Sequence, residues 1–429
     1  MAKENLRALS LDVIIEVLEK DGFSNQVLNQ VLQKYQYLEK NERSFITRLS
    51  LGTIENMILL DEIISSFSKT KIKKMKPVIR NILRMSVYQI YFMDSVPESA
   101  VVNEAVKLAK KRGMAGLSGF VNGLLRNVIR EEKPLSDFQK DLSTSYSCPK
   151  WLTDLWEEEY GAEITKEILE GFEGKDVTTI RTNLTKISPS ELKSALEKEG
   201  MKVMPTGLEY AFYISGFDYL EKSESFQKGL FYVQDLSSMM VAESADIKGC
   251  EKVLDMCAAP GGKSLHVAEK LALKGDEGSV DARDVSLEKT SRIEENKKRT
   301  GLSNLYVKVW DATVLDKDAI ENYDVVICDL PCSGLGVISK KPEIKYRASL
   351  EEIEDLANLQ KEILKNGVQY VKSGGRLLYS TCTVNKKEND EVTNWISETY
   401  PDFVLQSEEQ IFPKKDGWDG FYIAVFEKV

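Results

Sequence analysis

One histidine occurs in 429 residues, His266. Its isolation excludes a zinc site of HExxH spacing, and it makes any Ser-His-Asp or Cys-His catalysis hang on a single side chain. His266 lies in KSLHVAEK, which reads as helix, and a structural role is the plain expectation. None of the six cysteines (Cys148, Cys250, Cys257, Cys328, Cys332, Cys382) falls in a CxxC pair. In a long chain with no secretory signal they read as reduced thiols. No apolar run approaches the ~18 residues of a membrane-spanning helix. Neither a membrane nor a metal partner is therefore expected. The N-terminal stretch MAKENLRALSLDVIIEVLEK is broken by charges and has no small-residue cleavage site, which points to a cytoplasmic location. With 26 Gly, 11 Pro, 42% hydrophobic and 29% charged residues, collagen, low-complexity repeats and wholesale disorder are also excluded.

Basic charge is in short supply overall. The net charge is −10, which taken whole argues against nucleic acid, whose binders carry a basic footprint. The distribution along the chain reverses part of that inference. Residues 1–140 hold 22 Lys and Arg against 16 Asp and Glu, whereas the remainder holds 36 against 52. The two parts need separate readings.

Residues 1 to about 130 read as helix throughout. Leu6, Leu9, Val13 and Val17 form one apolar stripe, and the spacing recurs at Leu60, Ile63, Ile64 and Phe67 and at Val101, Ala105 and Leu108. An all-α bundle follows. Lys69, Lys71, Lys73, Lys74 and Lys76 form one basic cluster, and Lys107, Lys110, Lys111 and Arg112 another. Each reads either as a solvated helix end or as a phosphate-contacting surface. Residues 131–150 are polar with a proline near each end and read as a linker. From 151 to about 225, a helix over Trp151–Phe172, a strand over Thr178–Leu184 and a helix over Ser188–Gly200 make a small α+β unit. Three domains are thus expected: 1–140, 141–225 and 226–429.

Beyond residue 226, apolar runs at Lys252–Met256, Val280–Asp284, Leu305–Trp310, Val325–Cys328 and Leu377–Tyr379 alternate with helical stretches such as Leu287–Arg299 and Leu350–Val371. Strand–helix alternation implies a mainly parallel, doubly wound sheet, whose ligands bind at the carboxyl ends of the strands. The first strand runs into VLDMCAAPGGKS, where small residues and two glycines let the backbone turn tightly against a ligand. The glycines are adjacent, so this is not the dinucleotide GxGxxG pattern. Asp284, Asp311 and Asp329 close the next three strands. Each alone reads as a helix N-cap, but the set points to a ligand edge. Asp281 shares the second strand with Asp284, and register with the following helix favours Asp284 as the ribose-holding acid. Cys332 follows the fourth strand and Cys382 the fifth, so both thiols face that edge. With no histidine nearby, they fit direct thiolate attack on an electrophilic ring. Cys148, Cys250 and Cys328 read as buried apolar filler.

This constellation resembles the RNA cytosine-5 methyltransferase family. The matching residues are Cys257-Ala258-Ala259-Pro260-Gly261-Gly262-Lys263, Asp329-Leu330-Pro331-Cys332-Ser333-Gly334 and Thr381-Cys382, with Phe231-Tyr232-Val233-Gln234-Asp235, Ser237-Ser238 and Asp419-Gly420-Phe421-Tyr422. The N-terminal part resembles the NusB fold through Asn41-Glu42-Arg43, Pro97, Asn103-Glu104-Ala105-Val106 and Phe120-Val121-Asn122-Gly123-Leu124-Leu125-Arg126. The pairing is similar to the bacterial 16S rRNA cytosine-5 methyltransferases. It implies a multidomain chain: an all-α NusB-like RNA-binding bundle, a small α+β RNA-binding unit carrying Arg181 and Asn183, and a Rossmann-like α/β methyltransferase domain. It implies S-adenosyl-L-methionine as methyl donor and 16S rRNA as partner, with the chain acting as a monomer. Cys257 to Lys263 would wrap the methionine end of the cofactor, Asp284 would hold the ribose and Asp311 would contact the adenine. Asp329 would lie between cofactor and base, Cys382 would be the nucleophile, and Cys332 would assist product release. Lys340, Lys341, Lys345 and Arg347, just after the Cys332 motif, would form a basic rim for a phosphate backbone or else a solvated loop. Two other readings stand: the same chemistry on tRNA or large-subunit rRNA, and a non-catalytic RNA-binding assembly or transcription factor.

Overall fold

The computed structural model describes residues 4–173, 178–275 and 277–429. Two compact units divide the chain. One comprises Met1–Leu169 with Ile338–Arg347, the other Glu170–Val337 with Ala348–Val429.

The first unit is helical. Its main helices are α1 (Leu6–Glu19), α2 (Ser24–Lys34), α3 (Lys40–Glu55), α4 (Met57–Ser66), α5 (Pro77–Phe92), α6 (Glu98–Lys111) and α7 (Ser118–Glu131). Local chemistry sets their starts. The Asn5 side chain accepts from Ala8 N at 3.0 Å, Glu39 and Glu42 form a capping box on α3, and Pro77 opens α5, where its missing N–H costs nothing. The expected stripe is realised: Leu9, Val13 and Val17 are buried with Ile46, Leu49, Ile63 and Leu125 in one core. The stretch 131–150, which reads as linker, packs instead within this unit. Phe138 is buried against Phe67, and the Ser147 hydroxyl accepts from Ile58 N at 2.9 Å.

Residues 338–347 complete the bundle, which corrects the reading of Lys345 and Arg347 as part of a basic rim. Glu343 is buried and accepts from Ser24 N at 2.9 Å, at the start of α2. Lys345 is buried and donates to Glu55 O at 2.9 Å, at the end of α3. Arg347 donates to Val17 O and Gly22 O at 2.8 and 2.7 Å, around the end of α1. The signs match the helix dipoles, a carboxylate at an N-terminus and cations at C-termini. Lys345 and Arg347 are therefore spent on carbonyl groups and are not a phosphate-binding rim.

The second unit holds two sheets. Strands β1 (Thr178–Thr182), β2 (Lys202–Pro205), β3 (Ala211–Ser215) and β4 (Phe231–Val233) form an antiparallel sheet of order β2-β3-β1-β4. Helix Pro189–Lys198, started by a Ser188–Glu191 capping box, buries Leu192 and Leu196 in the same cluster as Ile180, Ile214 and Phe231. Arg181 and Asn183, carried by the unit expected to bind RNA, are fully buried. Arg181 pairs with Glu269 at 2.7 Å, and Asn183 donates to Gly229 O and Thr300 O. They join elements of the fold and are not available to RNA.

The larger sheet contains β5 (Lys252–Asp255), β6 (Ser279–Asp284), β7 (Leu305–Val309), β8 (Tyr323–Asp329), β9 (Val371–Thr381), β10 (Phe403–Ile411) and β11 (Phe421–Lys428). Its order is β10-β11-β9-β8-β5-β6-β7. Strands β5 to β9 pair in parallel, and β11 and β10 add an antiparallel edge. Helices cover both faces of the parallel part, which is why β8 reads as a continuous apolar run: Val325, Val326, Ile327 and Cys328 are all fully buried. The strand order reverses between β5 and β8. A crevice is expected outside the carboxyl ends of those two strands.

Candidate active site

The crevice is there. A cavity of about 530 Å³ opens at those strand ends, lined among others by Cys257, Ala259, Asp284, Asp311, Asp329, Cys332 and Cys382. Parallel pairing of β8 with β9 sets Asp329 opposite Ser380. The chain leaving each strand thus brings two cysteines fifty positions apart together, and their sulfurs lie 3.3 Å from each other. Asp329 is held from two sides: Lys263 Nζ donates to one oxygen at 2.7 Å and the Ser380 hydroxyl to the other at 2.9 Å.

Lys263 reaches Asp329 because of the turn before it. Gly261, at φ 104°, ends the turn and starts helix Gly262–Lys274. A side chain there would be strained and would press on Ile293. Burial alone would lower the Lys263 ammonium, but the Asp329 carboxylate outweighs it and holds the amine above its ordinary value, with Cys382 adding in the same direction. Lys263, Ala258, Pro260, Gly261 and Gly262 lie outside the cavity lining. Ala258 is buried and donates to Arg283 O at 2.8 Å. Within the motif, Cys257 and Ala259 face the cavity.

Asp284 is nearly buried. It accepts from Ala259 N at 2.9 Å and from Val285 N at 2.8 Å, and it pairs with Lys289 at 3.2 Å. Asp281 turns away to accept from Tyr323 OH at 2.6 Å, and Arg283 pairs with Asp316 at 3.0 Å. Asp284 is thus the acid of β6 at the cavity. Asp311, also in the lining, is exposed, and hydrogen bonds from Thr313 hold it below its usual value.

Gly336 makes the cysteine loop close. Its N–H donates to Cys382 O at 3.0 Å and its carbonyl accepts from Gly420 N at 2.9 Å. A Cβ there would lie 1.9 Å from Gly420 O. The Asp419-Gly420-Phe421-Tyr422 motif therefore serves the site as scaffold, and Phe421 places its ring 5.2 Å from the Lys263 amine. Asp235 joins it, accepting from Ser237 N at 2.9 Å and Asp419 N at 3.3 Å.

Cys148 and Cys328 are buried as expected, whereas Cys250 is exposed and fills no core. His266 is buried, 3.6 Å from Glu243, and burial pushes its pKa well down, in keeping with a structural role. Several site groups escape a reading by motif. Trp310 and Lys289 line the cavity. Asp255, at the end of β5, is fully buried, and burial pushes its carboxyl up to about 7. Its Oδ2 accepts from Ser264 while Oδ1 has no hydrogen-bond partner. An acid closing a buried strand was the available signal for Asp255. Glu388, buried and accepting from Ser333, Gln360 and Asn385, gives no local signal, because those partners come from three separate segments.

A parallel sheet with a cavity at its topological switch point, flanked by acids at successive strand ends, defines a Rossmann-like α/β domain. The family of "16S rRNA methyltransferase RsmB/F" matches residues 244–427, the "NusB family" residues 4–130 and an "RsmF/B-like, ferredoxin-like domain" residues 148–216. A Bacillus subtilis (strain 168) protein described as "Probable ribosomal RNA small subunit methyltransferase B" is 35% identical over the full length of both chains. A Synechocystis protein of the same description is 32% identical, over 98% of this chain and 99% of the other. The crystal structure of PH0851 superposes with a TM-score of 0.83 at 25% identity, covering 99% of each chain. The chain belongs to the ribosomal RNA small subunit methyltransferase B family.

Proposed function

We propose that this protein methylates C5 of a cytosine in 16S rRNA with S-adenosyl-L-methionine, through a covalent bond between Cys382 and C6 of the base. The observation that carries this reading is the meeting of Cys332 and Cys382 at 3.3 Å in the cavity that Asp329 also lines, with Lys263 holding Asp329 from behind the lining. C5 of cytosine is too weak a nucleophile to take a methyl group unaided. Addition of the Cys382 thiolate to C6 forms the C–S bond and moves the C5=C6 electron pair toward C5, splitting one hard step into two easier ones. Asp329, with donors from Lys263 and Ser380 on its two oxygens, keeps acceptor capacity for the N4 amino edge of the base. Once C5 carries the methyl group that bound S-adenosyl-L-methionine would supply, loss of the C5 proton to a base restores C5=C6 and breaks the C6–S bond, releasing Cys382 as thiolate, with Cys332 next to it to assist release.

The donor set fits the cofactor. A cavity of this size with an acid at the end of β6 suits an adenosine-sized ligand, with Asp284 for the ribose hydroxyls, Asp311 toward the adenine, and Cys257 and Ala259 of the Cys257–Lys263 turn at the methionine end. When bound, S-adenosyl-L-methionine supplies an electrophilic methyl group. A base inside a duplex does not reach a recessed thiol, so the target cytosine is unpaired or flipped. The exposed cluster Lys69, Lys71, Lys73, Lys74 and Lys76 supplies phosphate contacts on the helical unit.

Methyl transfer to 16S rRNA by wild type, Cys382→Ala and Cys332→Ala tests the reading. Cys382→Ala is expected to be inactive and to form no adduct. Cys332→Ala is expected to accumulate a covalent protein–RNA complex, visible on a denaturing gel. Normal turnover by Cys382→Ala would refute the assignment of the nucleophile. Cofactor binding without transfer to any RNA would favour the non-catalytic reading.

A further inference from the structure

Two thiols 3.3 Å apart do not both ionise readily, so one of them carries the proton. Toward Cys382 stands the Lys263 ammonium, from the first turn of helix Gly262–Lys274. Toward Cys332 stand two carboxyl groups, Asp329 from the end of β8 and Glu388 from the loop that follows Cys382. Tyr379 of β9 also acts on Cys332, and Cys257 lines the same cavity. The covering helix Leu350–Tyr370 contributes the neutral Gln360 and the apolar Leu359 and Ile363.

Glu388 is fully buried and clamped. Its Oε1 accepts from Ser333 N at 2.9 Å and from Gln360 Nε2 at 3.0 Å. Its Oε2 accepts from the Ser333 hydroxyl and from Asn385 Nδ2 at 2.7 Å. The same Gln360 amide reaches Pro331 O at 2.9 Å. Glu388 therefore ties together the residue after Cys332, the loop after Cys382 and the helix above both. Burial raises its carboxyl and these hydrogen bonds oppose the rise. Each partner points a donor at it, the pattern of a carboxylate and not of a carboxylic acid. A buried charge this close opposes a second negative charge on the neighbouring sulfur. Hydrogen bonding to Cys382, burial and the charges of Cys382, Glu388 and Asp329 together hold the Cys332 thiol well above its ordinary value.

We propose that Glu388 is a positioning residue that keeps the shared proton on Cys332, so that Cys382 is the thiol left to act as nucleophile. The inference rests on the reading of Cys382 as nucleophile and adds the reason why the Pro-Cys thiol, equally near the cavity, is not the one that attacks. Its geometry has two parts: the clamp on Ser333 fixes the Cys332 loop, and the negative charge sets the protonation.

Thiol reactivity tests it without RNA or cofactor. The full chain is treated with iodoacetamide from pH 6 to 10, and initial alkylation rates at Cys332 and Cys382 are read by peptide mass spectrometry. Alkylation forms an S–C bond and releases iodide, and it reports the thiolate fraction of each sulfur. In the wild type, Cys382 is expected to react at lower pH than Cys332, and the reverse order overturns the proposal without any variant. Glu388→Gln, which keeps the shape and removes the charge, is expected to raise the Cys332 rate at pH 7.5 roughly tenfold. Glu388→Asp, which keeps the charge, should leave the order of the two thiols intact. An unchanged Cys332 profile in a folded Glu388→Gln protein overturns the proposal, as does an equal rise in both variants, which would mark a packing role alone. Failure here with a normal Cys382→Ala adduct phenotype leaves the methylation reading standing. Turnover by Cys382→Ala removes that reading whatever the thiol order.

Discussion

Asp255→Asn should change how the stability of the catalytic unit depends on pH. Asp255 is fully buried at the end of β5, one oxygen accepts from Ser264 and the other has no partner. Burial, aided by Asp329 and Asp284 and opposed by Ser264 and Lys263, lifts its carboxyl from the usual 3.8 to about 7. A group whose folded pKa lies above its unfolded value stabilises most when protonated. The contribution is complete below about pH 4 and is lost as the pH rises through about 7. The gap between the two values corresponds to about 4 kcal/mol at most. Asparagine cannot ionise, so it carries a constant offset and no pH dependence. Melting curves of wild type and Asp255→Asn from pH 4.5 to 8.5, followed by near-ultraviolet circular dichroism, should show the variant gaining on the wild type as pH rises. For a unit of this size 4 kcal/mol is roughly 10 °C. Other titrating groups cancel in the difference between the two proteins. A difference in Tm that stays flat across this range would refute the reasoning, because it would mean that Asp255 is not held protonated by burial.

Further outcomes follow from single contacts. Lys263→Met leaves Asp329 without its charged partner, and methyl transfer to 16S rRNA should fall by roughly 100-fold or more, read as initial rate at saturating cofactor. Gly336→Ala forces a methyl group onto Gly420 O and should destabilise the catalytic unit by several kcal/mol while abolishing adduct formation, seen as a lowered urea midpoint. Arg347→Ala removes the donor shared by Val17 O and Gly22 O and should cost the helical unit about 1–3 kcal/mol, measured by urea unfolding. Deletion of residues 1–140 removes the Ser24 and Glu55 backbone groups that Glu343, Lys345 and Tyr346 bond to, so the truncated chain should bind a hydrophobic dye and aggregate where the full chain does not.

Much of the fold was legible because it rests on periodicity. Apolar residues every three to four positions predicted the helical bundle, and Leu9, Val13 and Val17 do face its core. Runs such as Val325–Cys328 stood out because a parallel strand covered on both faces has no polar side to show. Strand β10 was less visible: it lies at the sheet edge, and most of its middle residues face solvent. Strand β11 carries a plain apolar run, FYIAVF, outside the five runs that mark the parallel strands.

For the site, the sequence by itself determined the chemical inventory: acids at strand ends, a glycine turn, two cysteines and no useful histidine. Local rules suffice there, because the end of a strand is where any doubly wound sheet presents its ligand groups. Pairing was decided elsewhere. The β8–β9 register brings together thiols fifty residues apart, and the turn at Gly261 carries Lys263 onto Asp329. Charge was the least reliable guide. Arg181, Lys345 and Arg347 look like RNA contacts in a string of letters, yet each is committed to a protein acceptor. A cation's partner depends on which carbonyl or carboxylate the fold brings within about 3 Å of it, and only the tertiary structure sets that distance.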